Sequence, residues 1–376
     1  VPPSVAGAKR LYLVGALPSF DRQRITDPIE RFAATGRNTG NQVIAYGLLK
    51  TLCFDAASWS DGRTPEQVGE EFDAVVIPAA NFLFPKFDFS SVADFVERTR
   101  LPCVMVGVGA QSNSYDADIP LKPGTRRLMH VVAERSALIG ARGPFTAEVL
   151  ARLGIRNVQV TGCPSYYMRA RPELAIAKPP LPRAPRLAAS FSRDVIQHSF
   201  NPEMTRAAIL ALAREAIARD ATYVIQTELP ELKLAELAGT PAAEEALKEA
   251  MRFFRDTGDP RAARKWLQRR VRAYWDVKAW IDDMGRHDFS FGLRFHGNMA
   301  AIQAGRPALF ITHDSRTAEM CGFLGLPHVR VDEITDFSTE ALYDLVDVDR
   351  LAKRYRELYP AYKAFLEANR LAHALP

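Results

Sequence analysis

The chain has 376 residues, 47% of them hydrophobic and 25% charged, with a formal net charge of +5. Such a length exceeds one ordinary core and predicts about two domains of a soluble globular protein. No apolar run reaches the ~18 residues of a membrane span. No charged-then-apolar leader opens the chain, and no dense basic run or base-reading module points to nucleic acid. The expectation is a cytoplasmic protein with no integral membrane segment and no nucleic-acid partner.

The first half alternates short β-rich runs with helical patterns, which predicts a parallel sheet with crossover helices. Residues 11–16 read as a strand, and 39–52 start with turn residues and continue as a helix. Apolar runs at 74–80 and 103–106 fit buried strands, with a helix at 92–98 between them. Helix 124–137, strand 138–141, helix 146–153 and strand 158–161 continue the rhythm. Then Pro172, Pro179, Pro180, Pro182 and Pro185 fall in one stretch without a periodic apolar face. Proline fixes φ and lacks an amide donor, so 172–186 reads as an extended linker closing a domain of residues 1–171.

The second half repeats the plan in a domain expected at 187–348. Strands are predicted at 187–191, 222–226, 290–295, 308–312 and 328–331, and helices at 203–219, 298–304 and 316–323. A charged helical insertion occupies 232–283, and a terminal helix at 351–371, within a segment 349–376, could cross back onto the first domain. The fold expected is α/β, two Rossmann-like domains in a GT-B-like arrangement with a C-terminal helix.

Chemistry concentrates where strands give way to helices. Arg294 and His296 stand two apart at the end of an apolar run, and residues i and i+2 of a strand point to the same side. Gly297 and Asn298 then open a helix, whose free amides favour negative charge. Arginine offers a planar fork to carboxylate or phosphate, and histidine can donate a proton. The same residues could instead satisfy nearby carbonyls in the core, but a buried arginine without an anionic partner is costly.

Downstream, His313, Asp314 and Ser315 follow strand 308–312, where open α/β sheets bind ligands. Asp314 or Ser315 could equally cap the next helix. In the first half, Asn38, Thr39, Gly40 and Asn41 form a small loop at a helix start, either a ligand approach or an ordinary cap. Gly107, Gly109 and Gln111 follow strand 103–106, where the glycines either permit close approach to a ligand or simply make a tight turn, and Gln111 is a neutral donor and acceptor. Arg142 stands between a strand and a helix, placed for an anion or for loop carbonyls. Ser165 ends the next strand in Gly162-Cys163-Pro164-Ser165.

Cys53, Cys103, Cys163 and Cys321 are dispersed, without the close pairs of zinc sites, so free buried thiols and no metal site are expected. Cys163 has no histidine near it in sequence and reads as structural rather than nucleophilic. Glu228 is the carboxylate best placed to reach a cleft, whereas 231–249 read as a solvated helical face. Trp266, Tyr274, Trp275 and Trp280 fit core packing better than sugar stacking.

Taken in order, Asn38-Thr39-Gly40-Asn41, the Gly107-Val108-Gly109 turn, Arg142, Gly-x-Pro-Ser at 162–165, Arg-x-His-Gly at 294–297 and Gly305-x-Pro307 with its polar loop resemble the polysaccharide pyruvyl transferase family. The resemblance runs from about residue 38 to 327 and leaves the charged insertion unaccounted for. It implies transfer of pyruvate from phosphoenolpyruvate to two hydroxyls of a sugar, forming a ketal on a polysaccharide or its precursor. The acceptor would be a glycan or lipid-linked sugar, with phosphoenolpyruvate as donor substrate and no separate cofactor. By the resemblance Arg294 and His296 match the donor site and Arg142 a second donor-binding arginine. Asn41 stands where many members have aspartate, and Arg316 where a lysine is usual. Two other readings share the architecture: a glycosyltransferase whose arginines grip a nucleotide-sugar diphosphate, and a non-catalytic carbohydrate- or anion-binding protein.

Overall fold

The structure, a computed structural model, describes residues 7–20 and 25–376. In the first half four parallel strands, β1 (Arg10–Leu13), β2 (Ala56–Trp59), β3 (Ala74–Pro78) and β4 (Cys103–Val106), are ordered β2-β1-β3-β4. Strands β5 (Ile139–Ala141) and β6 (Val158–Val160) form a parallel pair beside them. The chain just past β4 joins the two groups, because the Gly107 and Val108 amides donate to the Gly140 carbonyl at 2.8 and 2.9 Å. Every residue of β3 and β4 is buried, which explains their continuous apolar sequences.

The second half holds one six-stranded sheet of β7 (Leu187–Ala189), β8 (Thr222–Val224), β9 (Val271–Arg272), β10 (Phe289–Gly292), β11 (Ala308–Thr312) and β12 (His328–Arg330). Its order is β12-β11-β10-β7-β8-β9, all parallel. Numbered within the half this is 6-5-4-1-2-3, the doubly wound Rossmann arrangement, whose order reverses between β7 and β10. The molecule is thus α/β with two Rossmann-like domains in a GT-B-like arrangement. Residues 171–186 contain no helix or strand, although Lys178 donates to the carbonyls of Asp344 and Val346. The stretch 232–283 is not wholly helical, since it supplies the edge strand β9.

Helix Val348–Ala368 returns to the first domain. Tyr362 stacks on Tyr167 with centroids 4.1 Å apart, and its hydroxyl lies 3.2 Å from Thr51 Oγ1. Thr51 gives its own hydrogen to the Leu48 carbonyl, so Tyr362 is the donor. Beyond the helix Leu371 bridges to Ala8 and His373 to Leu52. One hydrophobic cluster accordingly mixes Val43 and Leu48 of the first domain, Met299 and Ile302 of the second, and Tyr355 and Phe365 of the last helix. Among the described residues no helix is long and apolar enough to cross a membrane.

The domains also meet through a buried carboxylate. Glu319, in helix Ser315–Leu324, accepts from the Thr146 amide at 3.0 Å and from the Thr146 hydroxyl, at the start of helix Pro144–Arg152. Burial raises its pKa from 4.5 to about 7, outweighing those hydrogen bonds and Arg142.

Two predictions follow from these contacts. Replacing Tyr362 by Ala removes a fully buried ring and should cost about 3–5 kcal/mol in denaturant unfolding, whereas Tyr362→Phe forfeits one hydrogen bond, about 1 kcal/mol. For Glu319 the folded pKa lies above the unfolded one, so its contribution is complete below about pH 4.5 and is lost as pH rises through about 7. Glu319→Gln, which mimics the protonated acid, should match wild type near pH 4.5 and exceed it by roughly 2–3 kcal/mol at pH 8. A pH-independent difference in unfolding free energy would contradict this.

Candidate functional site

The carboxyl ends of the two sheets face each other, and the second sheet offers its order reversal there. Gly292 ends β10 at φ 141°, and a Cβ on it would strike the Ser190 carbonyl just beyond β7. That close approach lets the chain leave the sheet at once. Arg294 donates its amide to the Ser190 carbonyl at 3.0 Å and becomes the N-cap of helix Phe295–Gln303, where no side chain caps the first turn. The expected strand 290–295 therefore ends at Gly292 and the helix starts three residues before 298. Arg294 and His296 are consequently brought together by a cap and a first helical turn, not by alternation along a strand.

Arg142, fully buried, follows β5 on the opposite wall. Its Nε donates to the Gly107 carbonyl at 2.7 Å and its Nη2 to the Ala79 carbonyl at 3.0 Å, while Nη1 has no partner among the described residues. Burial lowers its pKa to about 10, assisted by Arg316. Gly109 makes room for Arg142, since a Cβ there would lie 2.9 Å from Arg142 Cδ, and Arg316 Cγ packs beside it at 3.5 Å. Arg316 Nε is buried without a hydrogen bond, and its Nη2 stands 3.8 Å from Asp314. Arg294 is partly exposed and makes no ion pair among the described residues.

Both histidines respond to this charge. Burial and then Arg142, Arg316 and Arg294 hold the His296 pKa well below the ordinary value, which favours the neutral imidazole. His313 is lowered chiefly by burial, against the pull of Asp314 3.7 Å away and of the Ile311 backbone, and its buried ring nitrogens make no close hydrogen bond among the described residues. Burial pushes Asp314 up, but His313, Arg316 and the Thr317 amide and hydroxyl together keep it below the usual carboxylate range.

The remaining predicted residues divide into those that border the cleft and those turned elsewhere. Gly40 borders it, since a Cβ there would lie 2.9 Å from His296 Nδ1 and would also strike Gln226 Oε1. Asn38 shapes that turn by accepting from the Gly40 amide at 2.9 Å. Gly107, at φ 76°, packs its open side against Pro164. Ser165 donates to Cys163 Sγ at 3.0 Å. Gln111 donates to Asp314 at 3.1 Å and accepts from Asn81, and Ser315 exchanges hydrogen bonds with Ser112, so both tie the domains together at the cleft. Gly297 faces Ser190 Oγ. Asp314 both reaches the cleft and caps its helix in a capping box with Thr317.

Two asparagines are occupied elsewhere. Asn298 accepts from Ser290 and donates to the Gly292 and Leu309 carbonyls, fixing the helix to the sheet, and Asn41 donates to the Thr35 carbonyl. Glu228 does not reach the cleft; its carboxylate folds back onto the amides of Gln226 and Thr227 at 2.7 and 3.0 Å. Glu231 is not solvated but buried against Arg193. Trp266, Trp275 and Trp280 are buried in the core, with Tyr274 stacked on Trp280.

Sequence reasoning missed three participants. Gln226 follows β8 and reaches the His296 side of the cleft, and the rule that ligands meet strand carboxyl ends could have found it. Arg316 is a cleft cation rather than a mere departure from a pattern. Cys163 Sγ lies 3.6 Å from His296 Nε2, a neighbour 133 residues away that no local pattern reveals.

Among proteins of curated function no sequence match is found. Solved structures similar over nearly the whole chain include Anabaena HepE in complex with UDP and glucose, at 9% identity and a TM-score of 0.43, covering 96% of this chain and 95% of that one. Another is UDP-N-acetylglucosamine 2-epimerase from Rickettsia bellii, at 13% identity and a TM-score of 0.44, covering 96% of each chain. A third is the lipopolysaccharide outer core galactosyltransferase WaaB in apo form, at 11% identity and a TM-score of 0.41, covering 95% of this chain and 99% of that one. The sequence model of polysaccharide pyruvyl transferases matches residues 38–315, a span that takes in both walls of the cleft from Gly40 to Ser315, and the chain belongs to that family.

Proposed function

We propose that the protein transfers pyruvate from phosphoenolpyruvate to two hydroxyls of a sugar, forming a ketal on a polysaccharide or its precursor. The observation that carries this reading is the pair of buried guanidinium nitrogens without partners among the described residues, Arg142 Nη1 and Arg316 Nε, beside Arg294, which makes no ion pair among them. Such groups cost several kcal/mol each unless an anion meets them. Against the three guanidiniums stand Asp314, beside Arg316, and Glu319, which burial pushes toward its neutral form. A ligand with both a carboxylate and a phosphate supplies the missing charge at two points.

His296 is held neutral by burial and by three arginines, which oppose a second proton. A bound polyanion offsets the arginines and lets the imidazole hold that proton. Delivered to the enol methylene, it becomes part of a methyl group and leaves the adjacent carbon electrophilic. A sugar hydroxyl attacks that carbon and returns its proton to His296. A second hydroxyl then displaces phosphate, its proton leaving with the phosphate, and the ketal closes.

Acceptor space adjoins the donor cleft. A cavity of about 360 Å³ lies between the domains, lined by Phe84, Lys86, Gln111, Asp116, Asp118 and His198 among others. Gln111 separates it from Asp314, and the Phe84 and His198 rings meet edge to face across the gap at 5.2 Å. Carboxylates and amides beside a ring suit the hydroxyls and apolar face of a sugar.

Phosphoenolpyruvate should raise the melting temperature of the protein and nucleotide sugars should not. Arg294→Ala removes a side chain with no structural hydrogen bond, so the fold should persist while phosphoenolpyruvate binds about 10- to 100-fold more weakly by calorimetry. Mass spectrometry across a glycan panel should detect the pyruvate ketal. Protection by a nucleotide sugar alone would favour the glycosyltransferase reading, and donor binding with no product on any acceptor the binding-protein reading. With a competent acceptor in hand, Phe84→Ala should raise its KM several-fold and leave phosphoenolpyruvate affinity unchanged.

A further inference from the structure

We propose that Cys163 is a positioning residue for His296: it holds the imidazole by Nε2 and so presents Nδ1, carrying the ring proton, to the cleft. Cys163 is fully buried in the turn after β6, between Gly162 at φ 75° and Pro164. The Ser165 hydroxyl has one hydrogen and gives it to Cys163 Sγ at 3.0 Å. The sulfur is thus an acceptor toward Ser165, and its own S–H remains for the next polar atom, His296 Nε2 at 3.6 Å. A neutral imidazole has one bare and one protonated nitrogen. An S–H donated to Nε2 requires that nitrogen to be bare, which places the ring hydrogen on Nδ1.

The far edge of the ring agrees with this assignment. Nδ1 makes no hydrogen bond among the described residues, yet it is not sealed in as both nitrogens of His313 are. Gly40 keeps it open, since a Cβ there would sit 2.9 Å from Nδ1. Burial, with Arg142, Arg316 and Arg294 acting on the same imidazole, favours its neutral form, the state in which a tautomer is defined. A thiol is a weak donor, and here its effect is directional: it fixes which edge of the ring faces the ligand. Once a second proton occupies Nε2, the sulfur turns its S–H aside and accepts from it, so that Nδ1 gives up and regains the proton at the cleft.

The consequence for turnover rests on the pyruvyl-transfer reading, but the tautomer does not. Nitrogen-15 NMR of the histidine-labelled protein resolves it, the His296 signal being the one of seven lost in His296→Gln. Wild type should show Nδ1 protonated and Nε2 bare. Cys163→Ser, which keeps a donor, should preserve that pattern, and Cys163→Ala should shift the ring toward Nε2–H or a mixture. In a competent assay Cys163→Ala should lower kcat about 10- to 100-fold, as expected of a misaligned catalytic group, with little change in the KM for phosphoenolpyruvate. An Nε2-protonated His296 in wild type, which needs no variant to fold, would overturn the proposal, as would an unchanged tautomer in Cys163→Ala. Failure of phosphoenolpyruvate to bind a protein with the expected tautomer would instead count against the donor reading alone.

Discussion

A guanidinium buried without a carboxylate sets the terms for the rest of this cleft. Arg142 is held at two corners by the Gly107 and Ala79 carbonyls, and its third corner is left open. Carbonyl oxygens orient the group without neutralising it, so its charge acts on whatever stands opposite. The nearest buried acid of the second domain, Glu319, is engaged by Thr146 and pushed toward its neutral form. Positive charge is therefore held on the first wall, and His296 opposite is depressed by burial first and then by Arg142 together with Arg316 and Arg294 of its own domain.

The second domain meets this charge with backbone geometry. The order reversal between β7 and β10 opens a crevice, and the contact of Gly292 with the Ser190 carbonyl turns the chain there into an uncapped helix. Helix amides, Arg294 and His296 thus arrive at one point without a long loop. The wall is stiffened from behind, as Asn298 joins the helix to both Gly292 and Leu309. That asparagine, which from sequence resembles a ligand contact, supports the site by facing away from it.

Strands β4 and β11 were legible to the residue, because a parallel strand buried on both faces is a bare apolar run bounded by polar turns. The end of β10 was not. Phe291, Leu293 and Phe295 continue the apolar pattern through the break, and only the φ of Gly292 ends the strand. Strand β2 and the helices Pro28–Ala34 and Pro65–Glu71 went unrecognised for the opposite reason: they are short and half exposed, with weak apolar periodicity. Site residues at strand ends were found by position, since one rule covers Arg142, Gln111 and Asp314 alike. What each side chain bonds to was beyond reach, because the partners of Cys163, Gln111 and Thr146 lie 133, 203 and 173 residues away.

The distance between those partners bears on how the site works. Each of the three contacts crosses from one domain to the other, so cleft chemistry and domain docking share the same side chains. Gln111 with Asp314, and Ser112 with Ser315, fix the spacing of the walls beside the arginines. On the far side the Thr39 amide donates to the Gln226 carbonyl at 3.0 Å, which sets Gly40 against His296. Helix Val348–Ala368 then fastens the second domain's chain to the first through Tyr362 and Tyr167. In a low-dielectric cleft, charges spaced by neutral hydrogen bonds keep their separation when a ligand arrives, so little reorganisation is required. Preorganisation of that kind favours an anion whose two charged groups match the fixed spacing of the guanidiniums, and it disfavours one that must pull the walls together to be held.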